Sequence, residues 1–293
     1  MKKENEKFKT ENEALKREIE ELKQKMKSIP ISQQNQQQQF GSRSTQSLEI
    51  IGEIGNSNGV KFYKVLHPTL YMLKEMDNKK TKAENIQQLL NEFKIINILH
   101  HPNIIKTYGI FTDDQNIPPS ILLEYCSNNL EQVIKSKKFS KVQQVFSVYQ
   151  IAKAMKYIHS QKIFNPALEP SRIFVSEDGI IKICGFENSQ LISSKNTSID
   201  EKLKEMNDVH AFGTIVYFIF SGGKFPEDKN KRIPNNFPIL TQQLIFACWS
   251  SEIESFPSFE IICDVLEQNE FKLASLNDQE IQEVIKKCKL QFY

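Results

Sequence analysis

The sequence predicts an α+β fold of two lobes, a small strand-rich one and a large helical one, behind an N-terminal coiled-coil helix. Three observations carry that expectation: eight short motifs in a fixed order between residues 47 and 270, a heptad repeat over residues 1–29, and a Gln/Ser-rich stretch over 30–46 between them. At 293 residues the chain has room for a two-lobed domain and a short appendage.

The heptads come first. Met1, Phe8, Leu15, Leu22 and Ile29 fall at position d, and Asn5, Asn12, Ile19 and Met26 at position a, a narrow seam with the 3.5-residue period of a coiled coil. Asparagine at a fixes register and favours a parallel pair. Glu4, Glu11 and Glu18 at g can face Lys9, Lys16 and Lys23 at the following e of a second chain. A parallel homodimer through residues 1–29 is therefore expected, since a lone charged helix of this length is marginal in water. The stretch PISQQNQQQQFGSRSTQS has no apolar period and reads as a flexible linker.

The eight motifs follow in order: LEIIGEIGNSNGVKFYKV (48–65), YMLKEM (71–76), NEFKIINILHHPNII (91–105), ILLEYC (121–126), NPALEPSRIF (165–174), KICGFE (182–187), DVHAFGTIVYFIFSGGKFP (208–226) and ACWSSEIESFPSFEIICDVL (247–266). Together they resemble the protein kinase superfamily, in its tyrosine-kinase-like Ser/Thr branch, over about residues 47–270. The resemblance implies a bilobal kinase-like domain, with a small lobe over about 47–125, a large lobe over about 126–270, and a helical tail over 271–293.

The same resemblance locates a site whose charged parts are replaced. NPALEPSRIF is similar to the family's catalytic loop HRDLKPENIL, and KICGFE to its metal-binding KIADFG. In that register the catalytic Asp is Ala167, the phosphate-contacting Lys is Glu169, a metal-binding Asn is Arg172, and the Asp of DFG is Gly185. Leu168, Pro170, Ile173, Ile183 and Phe186 keep the apolar and turn framework. Phosphoryl transfer rests on positioning and charge stabilisation, with a carboxylate taking the substrate proton and Mg²⁺ neutralising the phosphates. Alanine accepts no proton, and glycine offers no oxygen to a hard cation. A general base alone is worth roughly 10²- to 10⁴-fold, and Glu169 sets an anion where the family sets a cation. The resemblance thus implies a kinase fold with no catalytic residues and no bound cofactor, the family's Mg-ATP having lost its ligands.

Departures extend to the nucleotide pocket. The phosphate loop keeps Gly55 and Gly59 but has Ser57 at the middle glycine. The positions that sandwich adenine read Phe62, Met72 and Phe174, all larger than the family's residues, with Leu123 at the gatekeeper position. Side chains are therefore expected to occupy the purine space and hold the lobes together, because protein interiors pack too densely to leave a slot beneath them. Lys74 and Glu92 fall on the family's Lys–Glu ion pair. Two readings stay open for it: a structural pair holding a helix inward, or residual metal-independent nucleotide binding through Lys74.

Asp208 precedes a long apolar run and reads as the N-cap of a helix, and the family uses that carboxylate to tie down the catalytic loop. No APE motif lies between Asn188 and Asn207, and its arginine partner position is Phe256, so the activation segment is expected to be remodelled. The stretch from Asn188 to Met206 reads as a solvated polar loop, the alternative being a segment phosphorylated by another enzyme at Ser193, Ser194, Thr197 or Ser198. In the tail, Asn277 and Glu280 have capping-box spacing, and Ile281, Val284, Ile285 and Cys288 share a face that would meet the large lobe or a partner.

Composition bounds the function. A net charge of +2 gives no reason to invoke nucleic acid or an anionic membrane. Five cysteines without CxxC spacing argue against disulfide or zinc scaffolds and for a reducing compartment. No secretory signal precedes the heptads and the apolar run in TIVYFIF is too short for a bilayer, so a cytoplasmic protein without a metal site is expected. The expected function is that of a pseudokinase, a dimeric scaffold or allosteric partner of another kinase or signalling protein. The alternatives are an ATP-binding Ser/Thr kinase of weak activity using Glu187 or Glu169 to hold Mg²⁺, and an inert structural dimer.

Overall fold

The computed structural model describes residues 49–57, 60–67, 69–76, 83–111, 119–137, 139–164, 168–192, 198–226, 233–268 and 272–292. The heptad seam, the linker, Gly59, Ala167, Ser193, Ser194 and Thr197 lie outside them.

Five antiparallel strands build the small lobe: β1 (Glu49–Ser57), β2 (Val60–His67), β3 (Thr69–Met76), β4 (Thr107–Phe111) and β5 (Ser120–Glu124), in the order β1-β2-β3-β5-β4. Strand period two sorts their residues onto two faces. Phe62 lies opposite Lys74, and Met72 opposite Leu123, so these four share the face turned to the large lobe. The other face carries Val65, Leu73 and Leu122 in a small cluster with Tyr63, Tyr71 and Phe111. Helix α1 (Ala83–Ile98) covers the inner face with Leu89, Glu92, Ile95 and Ile96, all buried at helical spacing.

The large lobe is helical around one continuous core. Residues 125–127 connect β5 to β6 (Asn128–Asn129), which leads into α2 (Leu130–Lys135), capped by Asn129 and Gln132 in a reciprocal box. Helix α3 (Lys141–Ser160) opens on a second such box, Ser140 with Gln143, and is buried along most of its length. After β7 (Ile163–Phe164), a 3₁₀ turn (Pro170–Arg172) feeds β8 (Ile173–Val175), which pairs with β9 (Ile181–Ile183) in the register Ile173↔Ile183. Strand β10 (Gln190–Leu191) pairs back with β7.

Helix α4 (Ser198–Phe220) is the central element, buried through Val209, Phe212, Ile215, Val216, Phe218 and Ile219. Helices α5 (Ile239–Cys248), α6 (Phe259–Gln268) and α7 (Asp278–Phe292) complete the lobe. Helix α5 approaches α4 at Gly213, where a Cβ would come 2.7 Å from that of Cys248, so only glycine admits this crossing. The tail face reads as expected: Ile281, Val284 and Cys288 are buried, the Asn277–Glu280 box is made with two bonds of 2.9 Å, and α7 packs on α3.

Two readings are corrected. Asp208 is not an N-cap; it lies ten residues inside α4, which begins at Ser198. Residues 198–206 are helix rather than polar loop, anchored by Lys162 to Glu201 and by Lys204 to Gln190 at 2.5 Å. Among the described helices none is long and apolar enough to cross a membrane.

Candidate functional site

The cleft between the lobes holds a ladder of alternating charge. Lys74 on β3 places its Nζ 2.5 Å from Glu92 Oε2 and 3.4 Å from Glu187 Oε2. The second oxygen of Glu187 meets Arg172, whose Nε lies 3.6 Å from Glu169 Oε2. The other oxygen of Glu92, Oε1, accepts from the Gly185 amide at 3.2 Å and from Cys184 Sγ at 3.5 Å. Side-chain exposure rises along the series Glu92, Lys74, Glu187, Arg172, Glu169 as 0, 5, 13, 15 and 50 %, so the ladder runs from the interior to the surface. Its four inner members are two acids and two bases, and they neutralise one another where unpaired charges would be costly. Burial raises the Cys184 thiol to about 12, which keeps it protonated beside Glu92.

Arg172 and Gly185 are a coupled pair. The β8–β9 hairpin brings them side by side, with the Cys184 amide donating to the Arg172 carbonyl at 3.0 Å. Gly185 has φ +91°, and a Cβ there would lie 2.8 Å from Arg172 Cδ and 3.2 Å from its Cβ. A side chain at 185 and the arginine stem at 172 therefore compete for one volume. Of the two inner carboxylates, Glu92 is taken up by Lys74 and the Gly185 amide, and Glu187 is shared by Lys74 and Arg172, whereas Mg²⁺ demands several oxygens in octahedral array. These residues do not fit the family's metal. Among the described residues no group of three or more His, Cys, Asp or Glu is placed to hold one.

Above the ladder the cleft is apolar. Phe62, Met72, Leu123 and Phe174 are all buried, and the Phe62 and Phe174 rings meet at 5.2 Å between centroids and 60° between planes. Phe62 belongs to the small lobe and Phe174 to the large one, so this contact stitches the two together. Gln132 on α2 adds a second stitch, its Nε2 reaching the Ile54 carbonyl of β1 at 3.5 Å, close to Gly55. Phe186 and Leu168 are buried beneath, as the apolar framework implied.

Sequence reasoning brought Lys74 to Glu92 but missed the polar clasp beside them. Asn91 Nδ2 donates to the carbonyls of Glu187 at 3.2 Å and Ser189 at 2.9 Å, and Gln88 bonds Asn188 at 3.1 Å. Helix α1 is thereby held inward by three residues within little more than one of its turns, for which only the helical spacing of Gln88, Asn91 and Glu92 was a signal. Also missed was His159, at the end of α3, whose Nε2 lies 2.8 Å from Asp208 Oδ2 and whose Nδ1 lies 3.8 Å from Glu205 Oε1. Burial pushes this imidazole down, but its hydrogen bond to Asp208 and the nearby Glu205 carboxylate outweigh that and raise it above 6.5. Asp208 thus ties α4 to α3. A hollow of about 370 Å³ opens on the large-lobe side of the 168–172 loop, between Glu131, Glu169, Ala211, Ile215 and Phe225, away from the Phe62–Phe174 contact.

A family model described as a protein kinase domain matches residues 45–290. Among curated proteins the chain is similar to the serine/threonine-protein kinase CTR1 of Arabidopsis thaliana, 28 % identical over 63 % of this chain and 27 % of the relative. It is also similar to the dual specificity mitogen-activated protein kinase kinase dSOR1 of Drosophila melanogaster, 31 % identical over 56 % of this chain and 42 % of the relative. A third relative is 3-phosphoinositide-dependent protein kinase 1 of Arabidopsis thaliana, 28 % identical over 71 % of this chain and 50 % of the relative. The matched region spans from about a quarter to half the length of these relatives.

Proposed function

The chain belongs to the protein kinase family, and from that premise we propose that it is a catalytically inactive member, a pseudokinase acting as a dimeric scaffold or allosteric partner of another signalling protein. The observation that carries the reading is the Arg172–Glu187–Lys74 series, in which protein side chains stand where the family's metal and phosphates are managed. Arginine is a permanent cation that presents donors and no acceptor. It takes up the carboxylate that a metal would need and adds no proton acceptor. Ala167 removes the general base from the sequence itself. The Phe62–Phe174 contact fills apolar volume between the lobes, which supports the absence of bound Mg-ATP.

The lobes would then be held in one arrangement without ligand, by the ladder and by the Asn91 clasp. A preorganised surface of this kind binds a partner without an ordering cost, and pairing through residues 1–29 would raise avidity through effective concentration.

One observation favours a second reading. The Lys74–Glu92 pair is intact at 2.5 Å, and with Glu187 adjacent an ATP-binding kinase of weak activity could recruit that carboxylate for Mg²⁺. Thermal denaturation of the full chain with ATP, with and without Mg²⁺, separates the two. The pseudokinase reading expects no Mg²⁺-dependent rise in midpoint. A rise in the wild type that Glu187→Gln abolishes would replace it with the enzyme.

A further inference from the structure

Helix α7 ends on the joint that connects helix α1 to the cleft. The turn at 101–104 follows α1 directly, and its Asn103 is fully buried with its bonding groups engaged. The Asn103 side-chain amide donates to Gln150 Oε1 at 2.7 Å and to the Ile181 carbonyl at 3.0 Å, and its backbone carbonyl accepts from Ile183 N at 2.8 Å. Ile105 N returns a bond to the Ile183 carbonyl at 3.0 Å. The turn is thus sewn to β9, and the chain that leaves this strand runs through Cys184 and Gly185, both against Glu92, to Glu187 of the charge ladder. Any slack in the joint reaches both α1 and the ladder.

The last turn of α7 closes this joint from behind. Gln291 Nε2 donates to Asn103 Oδ1 at 3.0 Å, supplying the side-chain oxygen of a fully buried amide. Phe292 packs edge-on to Tyr149, with centroids 5.5 Å apart, and over His101 at 6.1 Å, with Lys153 Nζ 5.6 Å from its ring. His101 in turn stacks on Tyr157 at 5.2 Å, and its Nδ1 accepts from Asn103 N at 3.1 Å. That bond needs a neutral imidazole. Burial, with Lys153 and Lys182 nearby, supplies one by pushing His101 down to about 4.

We propose that α7 is a strap: by bonding Asn103 and covering His101, its terminal residues hold the turn after α1 and so keep α1 seated against the cleft. The buried face Ile281, Val284 and Cys288 supplies adhesion to α3, and Gln291 and Phe292 supply the coupling. Peeling α7 away and loosening α1 are then one event. This gives a partner that captures α7 a route to the lobe arrangement without entering the cleft.

The test is hydrogen–deuterium exchange on the full chain, comparing wild type with Gln291→Ala and Phe292→Ala, and with Leu290→Ala as a control at a position 78 % exposed in the same turn. The strap expects about tenfold faster exchange over residues 92–106 in the first two variants, none in the control, and no change over 209–219. Phe292→Ala should also raise the His101 pKa from about 4 toward 6.5, read by proton NMR against a His101→Gln reference. Faster exchange confined to 278–292, or raised equally over 209–219, would overturn the proposal, because α7 would then be a passive or a merely stabilising element.

Discussion

At the scale of single residues, the cleft is shaped by substitutions that make sense only in pairs. Gly185→Asp restores the family's metal ligand in name, but its Cβ would sit 2.8 Å from Arg172 Cδ at φ +91°. We expect it to cost about 1–3 kcal/mol in urea denaturation. Adding Arg172→Asn should return part of that loss, with a coupling of about 0.5–3 kcal/mol, whereas simple additivity would mean that the two positions do not compete. The identities at 167, 169, 172 and 185 were legible from motif register alone. The Arg172–Glu187 contact was not, because it depends on the hairpin register Ile173↔Ile183 and on where a long side chain turns once residue 185 has none.

At the scale of elements, the tail's Asn277–Glu280 box was read from spacing and the strands from the motifs that resemble the family's, whereas the pairing of Met72 with Leu123 and the boxes at Asn129 and Ser140 came only from the structure. The start of α4 was misplaced. Motif register put a helix boundary at Asp208, although Ser198 and Glu201 have capping-box spacing and SIDEKLKEM is rich in helix formers. Extending the helix back to Ser198 turns Asp208 from a cap into a buried partner of His159. That pairing has a pH signature. The folded-state pKa of His159 is raised above 6.5, so its contribution to stability is complete below about pH 6.5 and is lost as pH rises through the folded value. The melting midpoint should therefore fall with rising pH in that window, at no more than about 1.4 kcal/mol per pH unit, and His159→Gln should flatten the trend. A wild-type midpoint that climbs with pH there would refute the charged pairing.

At the scale of the whole molecule, the two lobes are joined at the ladder, at Phe62–Phe174, at Gln132–Ile54 and at the Asn103 joint. Motif order predicted two lobes, and the bulk of Phe62, Met72 and Phe174 predicted side chains in the slot between them. How firmly the lobes are fastened depended on long-range polar bonds from Asn91, Gln132 and Gln291, residue types with no period or motif to announce them. The proposed pairing rests on the heptads of residues 1–29 alone. Light scattering should give twice the chain mass for the full chain and one chain mass after deletion of residues 1–29, while a full chain of single mass would remove dimerisation from the proposal. Isothermal titration of the full chain with ATP and Mg²⁺, run beside transfer of labelled γ-phosphate to a protein acceptor, probes the self-neutralised cleft most directly. We expect no Mg²⁺-dependent heat and no transferred label. Micromolar binding that requires Mg²⁺, together with label on the acceptor, would contradict it.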